Sequence, residues 1–201
     1  MITVFGTYPQ STSGERAPIE WFVLDRRGGV SLVVSKRGLD CRPFHDRLED
    51  VSWNTCALRA WLNDADDGFL GAAFSESERD SIVLTSVATE GNPDFGTDPG
   101  EPTRDKVFLL SAQEVERYFG DSEDRACEPT EYAIEQGAWM LDKFADCQGR
   151  NPCDWLLRSP GLEPCYACYI DFDCDLLPSA FVHERAFAIR PAMWIRTADE
   201  A

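Results

Sequence analysis

The sequence lacks any apolar run approaching the roughly 18 residues that a membrane-spanning helix needs. Its first residues, Met1 to Gly6, also lack the basic segment and extended apolar stretch of a secretory signal peptide. We therefore expect no membrane span and, for the chain as given, a cytoplasmic location. Secretion or surface display by another route stays open.

Positive charge is scarce. The chain has 19 lysine and arginine residues against 36 aspartate and glutamate residues, a formal net charge of −17. Arg26-Arg27 and Lys36-Arg37 are simple pairs, and no basic cluster stands out. Such a surface repels phosphate backbones, so we expect no nucleic-acid partner.

Catalytic motifs are also missing. The only histidines are His45 and His183, and no nucleophile-elbow motif accompanies them. No glycine-rich phosphate loop occurs, because Arg27-Gly28-Gly29 is typical of a hairpin turn. No reaction can be named, so we expect a protein that is not an enzyme and has no cofactor.

The eight cysteines give no clear metal or disulfide pattern. Without a secretory context, free thiols are the default. Cys165 and Cys168 form one Cys-x-x-Cys pair, whereas structural zinc usually needs two such pairs or a regular Cys/His set. A redox pair would be expected at a helix N-terminus, but the surrounding pattern is strand-like. We predict incidental thiols and no metal site.

What the sequence does contain indicates one α+β domain over residues 1–201. Its 43% hydrophobic content, six tryptophans and twelve phenylalanines can build a substantial core. One predicted helix has its apolar face between Trp53 and Leu62, and a second follows the capping box Ser111-x-x-Glu114. Ser75-x-x-Glu78 gives another candidate capping box. Short strands lie on either side, and we expect the first and last to lie side by side. The predicted strands are 2–5, 19–25, 30–35, 82–84, 107–110, 155–158, about 166–171, about 176–182 and 187–195.

Two apolar runs near the C-terminus each hold one arginine. Arg158 lies in Trp155–Gly161 and Arg190 lies in Ile189–Ile195. A buried guanidinium must be paired, and its planar fork suits a carboxylate or several carbonyl groups. We therefore predict that both arginines are structural rather than ligand-binding.

The segment between these runs differs in composition and holds an Asp-x-Asp-x-Asp alternation. On a strand, its carboxylates would share one face and form a solvated acidic strip. An EF-hand is excluded, because its sixth and twelfth positions are Leu176 and Val182. A weak, open cation site is the alternative.

Seven segments of the chain resemble a widespread bacterial domain family of uncharacterised function. In order they are Phe5-Gly6-x-Tyr8-Pro9-Gln10, Pro18-Ile19-Glu20-Trp21-x-Val23-Leu24-Asp25, Trp53 with Leu58-Arg59-x-Trp61-Leu62-Asn63, Ala73-Phe74-Ser75-x-x-Glu78, Thr103-x-Asp105-Lys106-Val107-Phe108-Leu109-Leu110-Ser111, Trp155-x-Leu157-Arg158-Ser159-Pro160-Gly161 and Arg190-Pro191-Ala192-x-Trp194-Ile195. The resemblance covers nearly the whole chain. It implies a single C-type-lectin-like domain of short antiparallel strands, two main helices and long loops.

Some relatives implied by this resemblance are variable proteins of diversity-generating retroelements, whose C-terminal region is rewritten at adenines. Rewritten Asn codons cannot encode Glu, Lys, Gln, Met or Trp. Of the 26 residues from Leu162 to Phe187, only Glu163 and Glu184 belong to that group. The calcium-dependent sugar-binding motif of C-type lectins is absent. Glu128-Pro129-Thr130 and Trp53-Asn54-Thr55 match it only in part.

The resemblance therefore implies a non-catalytic display domain whose variable region, 162–187, binds an unknown protein or glycan. Aromatic anchors and adaptable polar groups on a rigid frame suit such a surface. The candidate ligand-binding residues are Tyr166, Tyr169, Asp171, Phe172, Asp173, Asp175, Phe181, His183, Arg185 and Phe187. One alternative is a formylglycine-generating type of metalloenzyme, with copper held by Cys165, Cys168 or Cys174. Another is a structural interaction domain of a larger assembly.

Overall fold

The computed structural model describes residues 1–140 and 149–197. These residues form a mixed α+β arrangement with mostly antiparallel strands, as expected. The strands are β1 (Ile2–Pro9), β2 (Arg16–Arg27), β3 (Val30–Ser35), β4 (Asp40–Cys41), β5 (Thr85–Val87), β6 (Thr103–Asp105), β7 (Trp155–Pro160), β8 (Tyr166–Ile170), β9 (Leu176–Phe181), β10 (Ala188–Ile189) and β11 (Ala192–Arg196). The helices are α1 (Ala57–Asn63), α2 (Phe69–Ala73), α3 (Glu76–Ser81), α4 (Ala112–Tyr118) and α5 (Glu131–Glu135), with a 3-10 helix at Ser122–Arg125.

A four-stranded sheet in the order β1-β2-β3-β11 holds the N-terminal half of the chain to its end. The hairpin of β2 and β3 forms as predicted, and Gly28 and Gly29 supply its turn with φ angles of 57° and 76°. The last strand pairs with β3, so the expectation that it lies beside the first strand was wrong. β3 is the most completely buried strand of this sheet and therefore needs a neighbour on each edge. The more exposed β1 takes the outer position.

The helices are short, and their starts follow the sequence closely. Both predicted capping boxes form, at Ser75 with Glu78 and at Ser111 with Glu114. The first helix begins later than its apolar pattern suggests, because Cys56 is the N-cap and its sulfur accepts from the N–H of Arg59. Trp53 precedes the helix and is 2% exposed.

Three predicted strands differ from the structure. Ile82 and Phe108 are buried, but their runs make only single bridges, to Ile195 and Ala192, and β5 begins after the first of these runs. A short apolar run shows burial but does not separate a strand from buried coil. The run 187–195 divides into β10 and β11 at Pro191, which has no N–H for a sheet ladder.

A five-stranded sheet in the order β4-β10-β7-β8-β9 carries the C-terminal segment. All six residues of β7 are buried, and β7 separates the parallel strand β10 from the antiparallel strand β8. Gly161 follows β7 where the chain passes close to β9, and a Cβ there would lie 2.3 Å from the carbonyl oxygen of Pro178. The hairpin of β8 and β9 therefore lies at the outer edge of this sheet, beside the buried strand β7. We call the remaining strands of the two larger sheets the frame. Within the described residues, no helix is both long enough and apolar enough to cross a membrane.

Candidate functional site

The candidate display region is the β8–β9 hairpin and the strand-free segment that returns from it to β10. We call the end where β8 begins and β9 finishes the open end of the hairpin, and the other end the turn end. Nine of the ten predicted ligand-binding residues are exposed or half-buried, and the tenth, Phe187, is 6% exposed. The structure does not gather the ten residues into one pocket but divides most of them between the two ends.

At the open end, three of the predicted residues form a surface aromatic group. Tyr166 and Phe181 are register partners with ring centroids 4.3 Å apart, and Phe181 contacts His183 at 5.8 Å. Phe181 is 39% exposed, and His183 is exposed in a turn as the sequence predicted. Together these rings give a continuous aromatic face.

At the turn end, the Asp-x-Asp-x-Asp segment forms a tight turn between β8 and β9, in the gap between the two predicted strands, so its carboxylates do not share one face of a strand. The N–H of Asp171 donates to the carbonyl of Asp175 at 3.0 Å, and the Asp171 side chain accepts from the N–H of Asp175 at 2.8 Å. Cys174 adopts a left-handed φ of 69° and is buried beneath the turn. The acidic strip does not form because aspartate side chains stabilise turns by bonding to nearby backbone N–H groups.

Negative charge at the turn end reaches beyond the turn itself. Asp154 accepts from the N–H of Phe172 at 2.9 Å and thereby fixes the turn to the start of β7. Burial, reinforced by the charges of Asp171, Asp173 and Glu184, raises the pKa of Asp154 to about 6. Burial also raises the pKa of Asp171, and its acidic neighbours in the turn add to that effect. Five carboxyl groups, including that of Asp175, therefore interact at this end.

Aromatic side chains accompany these carboxyl groups. Phe172 packs edge-on against Trp139 at 5.4 Å, and Trp139 is 43% exposed. Tyr169 packs on Phe187 at 4.8 Å. Phe187 therefore supports Tyr169 from the core and offers little surface of its own, because a side chain flanking a strand can point inward.

Two contributors to the turn end were missed from the sequence, namely Trp139 and Asp154. Both lie outside the segment 162–187, and their contacts with Phe172 are long-range in sequence. One sequence feature could have indicated that Trp139 lies at the surface. A tryptophan in a polar, glycine-containing stretch has few apolar neighbours in sequence to bury it. Asp154 had none, because an aspartate before an apolar strand is common.

Arg185 lies apart from the other predicted residues. Arg185 donates from Nε to the Gln136 carbonyl at 3.0 Å and from Nη2 to the Gln136 side chain at 3.2 Å. It therefore joins the returning segment to the end of α5. Asp175 is exposed at the base of the turn.

A small concavity lies beside the hairpin. It has a volume of about 150 Å³ and is lined by the loop around Asn92 and Phe95 on one side and by Leu176 and Pro178 of β9 on the other. Asn92 fixes that loop by donating to the Pro160 carbonyl at 3.1 Å. Phe95 is 55% exposed. A partner on the hairpin could therefore extend onto an apolar loop next to it.

The cysteines of this region do not gather into a metal centre. Cys168 is buried, donates to the Pro160 carbonyl at 3.2 Å, and has its pKa raised to about 11 by burial. Cys165 is half-buried, and Cys174 lies under the turn. Across residues 1–140 and 149–197, no group of three or more His, Cys, Asp or Glu side chains is arranged to hold a metal ion. Cys147 lies outside the described residues.

Arg158 and Arg190 are both buried, as predicted, and Arg158 has several hydrogen-bond partners. Its guanidinium donates to the carbonyls of Leu109 and Ala88, to the hydroxyl of Thr89 and to the carboxylate of Glu114. Arg190 is 0% exposed and donates to the carbonyls of Ser35 and Arg125 at 2.8 and 3.4 Å. Both arginines hold the frame and neither faces the hairpin surface.

Comparison with known proteins gives one result. Residues 28–197 match DUF6273, a domain of unknown function. Neither the curated proteins nor the solved structures contain a match to the chain. The matched range begins in the β2–β3 turn and includes both arginines and the whole hairpin. The chain therefore belongs to the DUF6273 family.

Proposed function

We propose that this protein is a non-catalytic binding module whose β8–β9 hairpin presents the ligand-binding surface. The observation that carries the proposal is the exposed aromatic group of Tyr166, Phe181 and His183 on a hairpin anchored to the fully buried strand β7. Amphipathic aromatic rings bury a large area at a small loss of conformational entropy, which suits binding surfaces. A rigid strand beneath them lets the side chains vary without loss of the fold.

Charge at the turn end favours one kind of partner over another. Asp154, Asp171, Asp173 and Glu184 raise the local negative charge, and Trp139 and Phe172 lie beside them. A cation placed between carboxylates and aromatic rings gains from both kinds of contact. We therefore favour a protein partner that presents lysine or arginine side chains, with a neutral glycan as the second class.

The finer reading is that the domain has a C-type-lectin-like fold and serves as the variable protein of a diversity-generating retroelement. The support is the order of motifs along the chain and the near absence of Glu, Lys, Gln, Met and Trp from residues 162–187. The test is to sequence the DNA around the gene. A reverse-transcriptase gene with a near-identical template repeat, differing at adenines within codons 162–187, is the expected result. Without such a repeat, the hairpin would remain the proposed binding surface, but a retroelement would not be the source of its sequence variation.

The binding proposal is tested with defined ligands. The wild-type chain is screened against a random peptide library and a glycan array, beside a variant carrying Tyr166→Ala, Asp173→Ala and His183→Ala. We expect wild-type binding that the triple variant loses, with a nearly unchanged melting temperature. A control variant carrying Val4→Ala, Glu15→Ala and Asp67→Ala, all exposed outside the hairpin, should bind as the wild type does. Retained binding in the hairpin variant, or a collapse of its melting temperature, would refute the proposal.

A further inference from the structure

A second chemical centre lies inside the frame, away from the hairpin surface. Cys127 and Cys153 are each 1% exposed and lie against one another in the core. The N–H and the thiol of Cys153 both donate to the Cys127 carbonyl, at 2.8 and 3.2 Å. These contacts hold Cys153 against Cys127, although the two cysteines are 26 residues apart in sequence.

A buried cation beside these thiols has no carboxylate partner. Arg190 is 0% exposed, and its Nη2 makes no hydrogen bond. Its guanidinium lies 4.8 Å from the Trp155 ring centre and 5.2 Å from that of Phe119. Within residues 1–140 and 149–197 it forms no ion pair. An unpaired buried charge is costly, so a nearby group that can ionise will be driven to do so.

The thiol of Cys127 is the group that responds. Burial by itself would raise its pKa, but the hydrogen bond from Cys153 and the positive charge of Arg190 outweigh burial and lower the pKa to about 7. The Gly38 N–H and the charge of Arg37 act in the same direction. Burial, the bond to Cys127 and the nearby Asp154 charge raise the pKa of Cys153. One thiolate and one thiol therefore face each other.

We propose that Cys127 and Cys153 are a redox-modification site, in which Cys127 is oxidised first and Cys153 resolves it to a disulfide. With a peroxide as oxidant, the Cys127 thiolate attacks one oxygen, the O–O bond breaks, and a sulfenic acid and hydroxide form. The Cys153 sulfur then attacks the Cys127 sulfur, the S–O bond breaks, and a second hydroxide leaves. The protons given up by the two thiols convert both hydroxides to water, so two thiols and one hydrogen peroxide give one disulfide and two waters.

The modification changes the charge around Arg190. A disulfide carries no charge, so oxidation removes the thiolate that balances the guanidinium. Arg190 precedes Pro191 between β10 and β11 and holds the Ser35 carbonyl at the end of β3. The redox state of the pair therefore acts on the junction between the two larger sheets.

Peptide mapping of the full-length reduced chain tests the site. The protein is treated with hydrogen peroxide at pH 8, alkylated under denaturing conditions and digested with trypsin. Cys127 falls in peptide 126–143, Cys153 in 151–158 and Cys147 in 144–150, so the three are resolved. We expect the first disulfide to join 126–143 to 151–158. A first disulfide involving any other cysteine, or none, would overturn the proposal, and this arm needs no variant.

Variants then separate chemistry from structure. Cys153→Ser should leave a sulfenic acid at Cys127 that dimedone traps, and Cys168→Ser should leave the cross-link unchanged as the control. Arg190→Met should slow cross-linking at pH 7 roughly tenfold by lowering the thiolate fraction, with the rate recovering near pH 9. A rate independent of both pH and Arg190 would contradict the assigned roles of the thiolate and the cation.

Discussion

Arg158 and Arg190 occupy similar positions in the sequence but different environments in the fold. Each lies in an apolar run and is followed closely by proline. Arg158 is paired with Glu114 and bonded to two carbonyls and a hydroxyl. Arg190 has two carbonyls, flanking aromatic rings and a thiol pair nearby, but no carboxylate. The same pattern therefore gives one site built for stability and another that is electrostatically incomplete.

The difference comes from what surrounds each arginine in three dimensions. Glu114 reaches Arg158 because it is the third helical residue of a capping box, and its Oε2 also accepts from the Ser111 N–H at 2.9 Å. Among the residues that the structure describes, no comparable acidic residue pairs with Arg190. A buried arginine without a carboxylate is more easily affected by a change of charge at its neighbours.

The largest expected effect in this comparison is that of Arg158→Met. It leaves the Glu114 carboxylate without its cation, and it leaves the buried Leu109 carbonyl and two less buried acceptors, on Ala88 and Thr89, without this donor. The free energy of unfolding should fall by about 3 kcal/mol in urea denaturation. Adding Glu114→Gln should recover part of that loss, because the uncompensated charge is gone. A loss below about 1 kcal/mol would mean that this pair does not hold the frame.

The corresponding change at the other site, Arg190→Met, should have a smaller effect. No carboxylate is stranded, and a methionine can pack against Trp155. We expect a loss of about 1–2 kcal/mol, mainly from the carbonyls of Ser35 and Arg125. A loss as large as that of Arg158→Met would show that the two environments are equivalent in energy, against the structure.

The pH dependence of stability should distinguish the two sites further. The pKa of Cys127 is lowered to about 7 from 9.0. A depressed pKa contributes stability that is fully present above pH 9 and is lost as the pH falls through 7. Cys127→Ser should therefore destabilise more at pH 9 than at pH 6.5, and Arg190→Met should flatten the wild-type profile. Arg158→Met should leave the slope between these pH values unchanged.

The smallest expected effect concerns the two capping boxes. Ser75→Ala and Ser111→Ala should each lower stability by about 1 kcal/mol, the usual effect of losing a helix cap. Ser111→Ala should cost a few tenths of a kcal/mol more, because Glu114 is also the partner of Arg158. Equal values would indicate that the cap and the ion pair are independent.

Much of the frame followed from local patterns in the sequence. The β2–β3 hairpin, both capping boxes and the burial of the two arginine runs depend on residues within a few positions of one another. The pairing of β11 with β3 could not be predicted, because strand order depends on which strand is buried and therefore needs a hydrogen-bonded neighbour on each edge. The apolar runs at Ile82 and Phe108 were predicted as strands but make only single bridges, because periodicity did not distinguish coil from strand.

The candidate site was predictable in location but not in arrangement. Aromatics and aspartates marked the segment 162–187, and most of their side chains are at the surface. The predicted strands 166–171 and 176–182 left a gap at the turn, but alternation alone does not reveal that backbone N–H groups there bond to carboxylates. The contributions of Trp139 and Asp154 come from chain segments brought in by the fold, and a single sequence contains no record of that approach.

The measurement that tests the central claim most directly is a calorimetric titration of a ligand selected from the peptide or glycan screen. It compares the wild-type chain with the triple variant at Tyr166, Asp173 and His183. The proposed surface predicts that the variant loses the binding heat at ligand concentrations that saturate the wild type, while both chains melt at nearly the same temperature. An unchanged dissociation constant in the variant would show that the hairpin is not the binding surface.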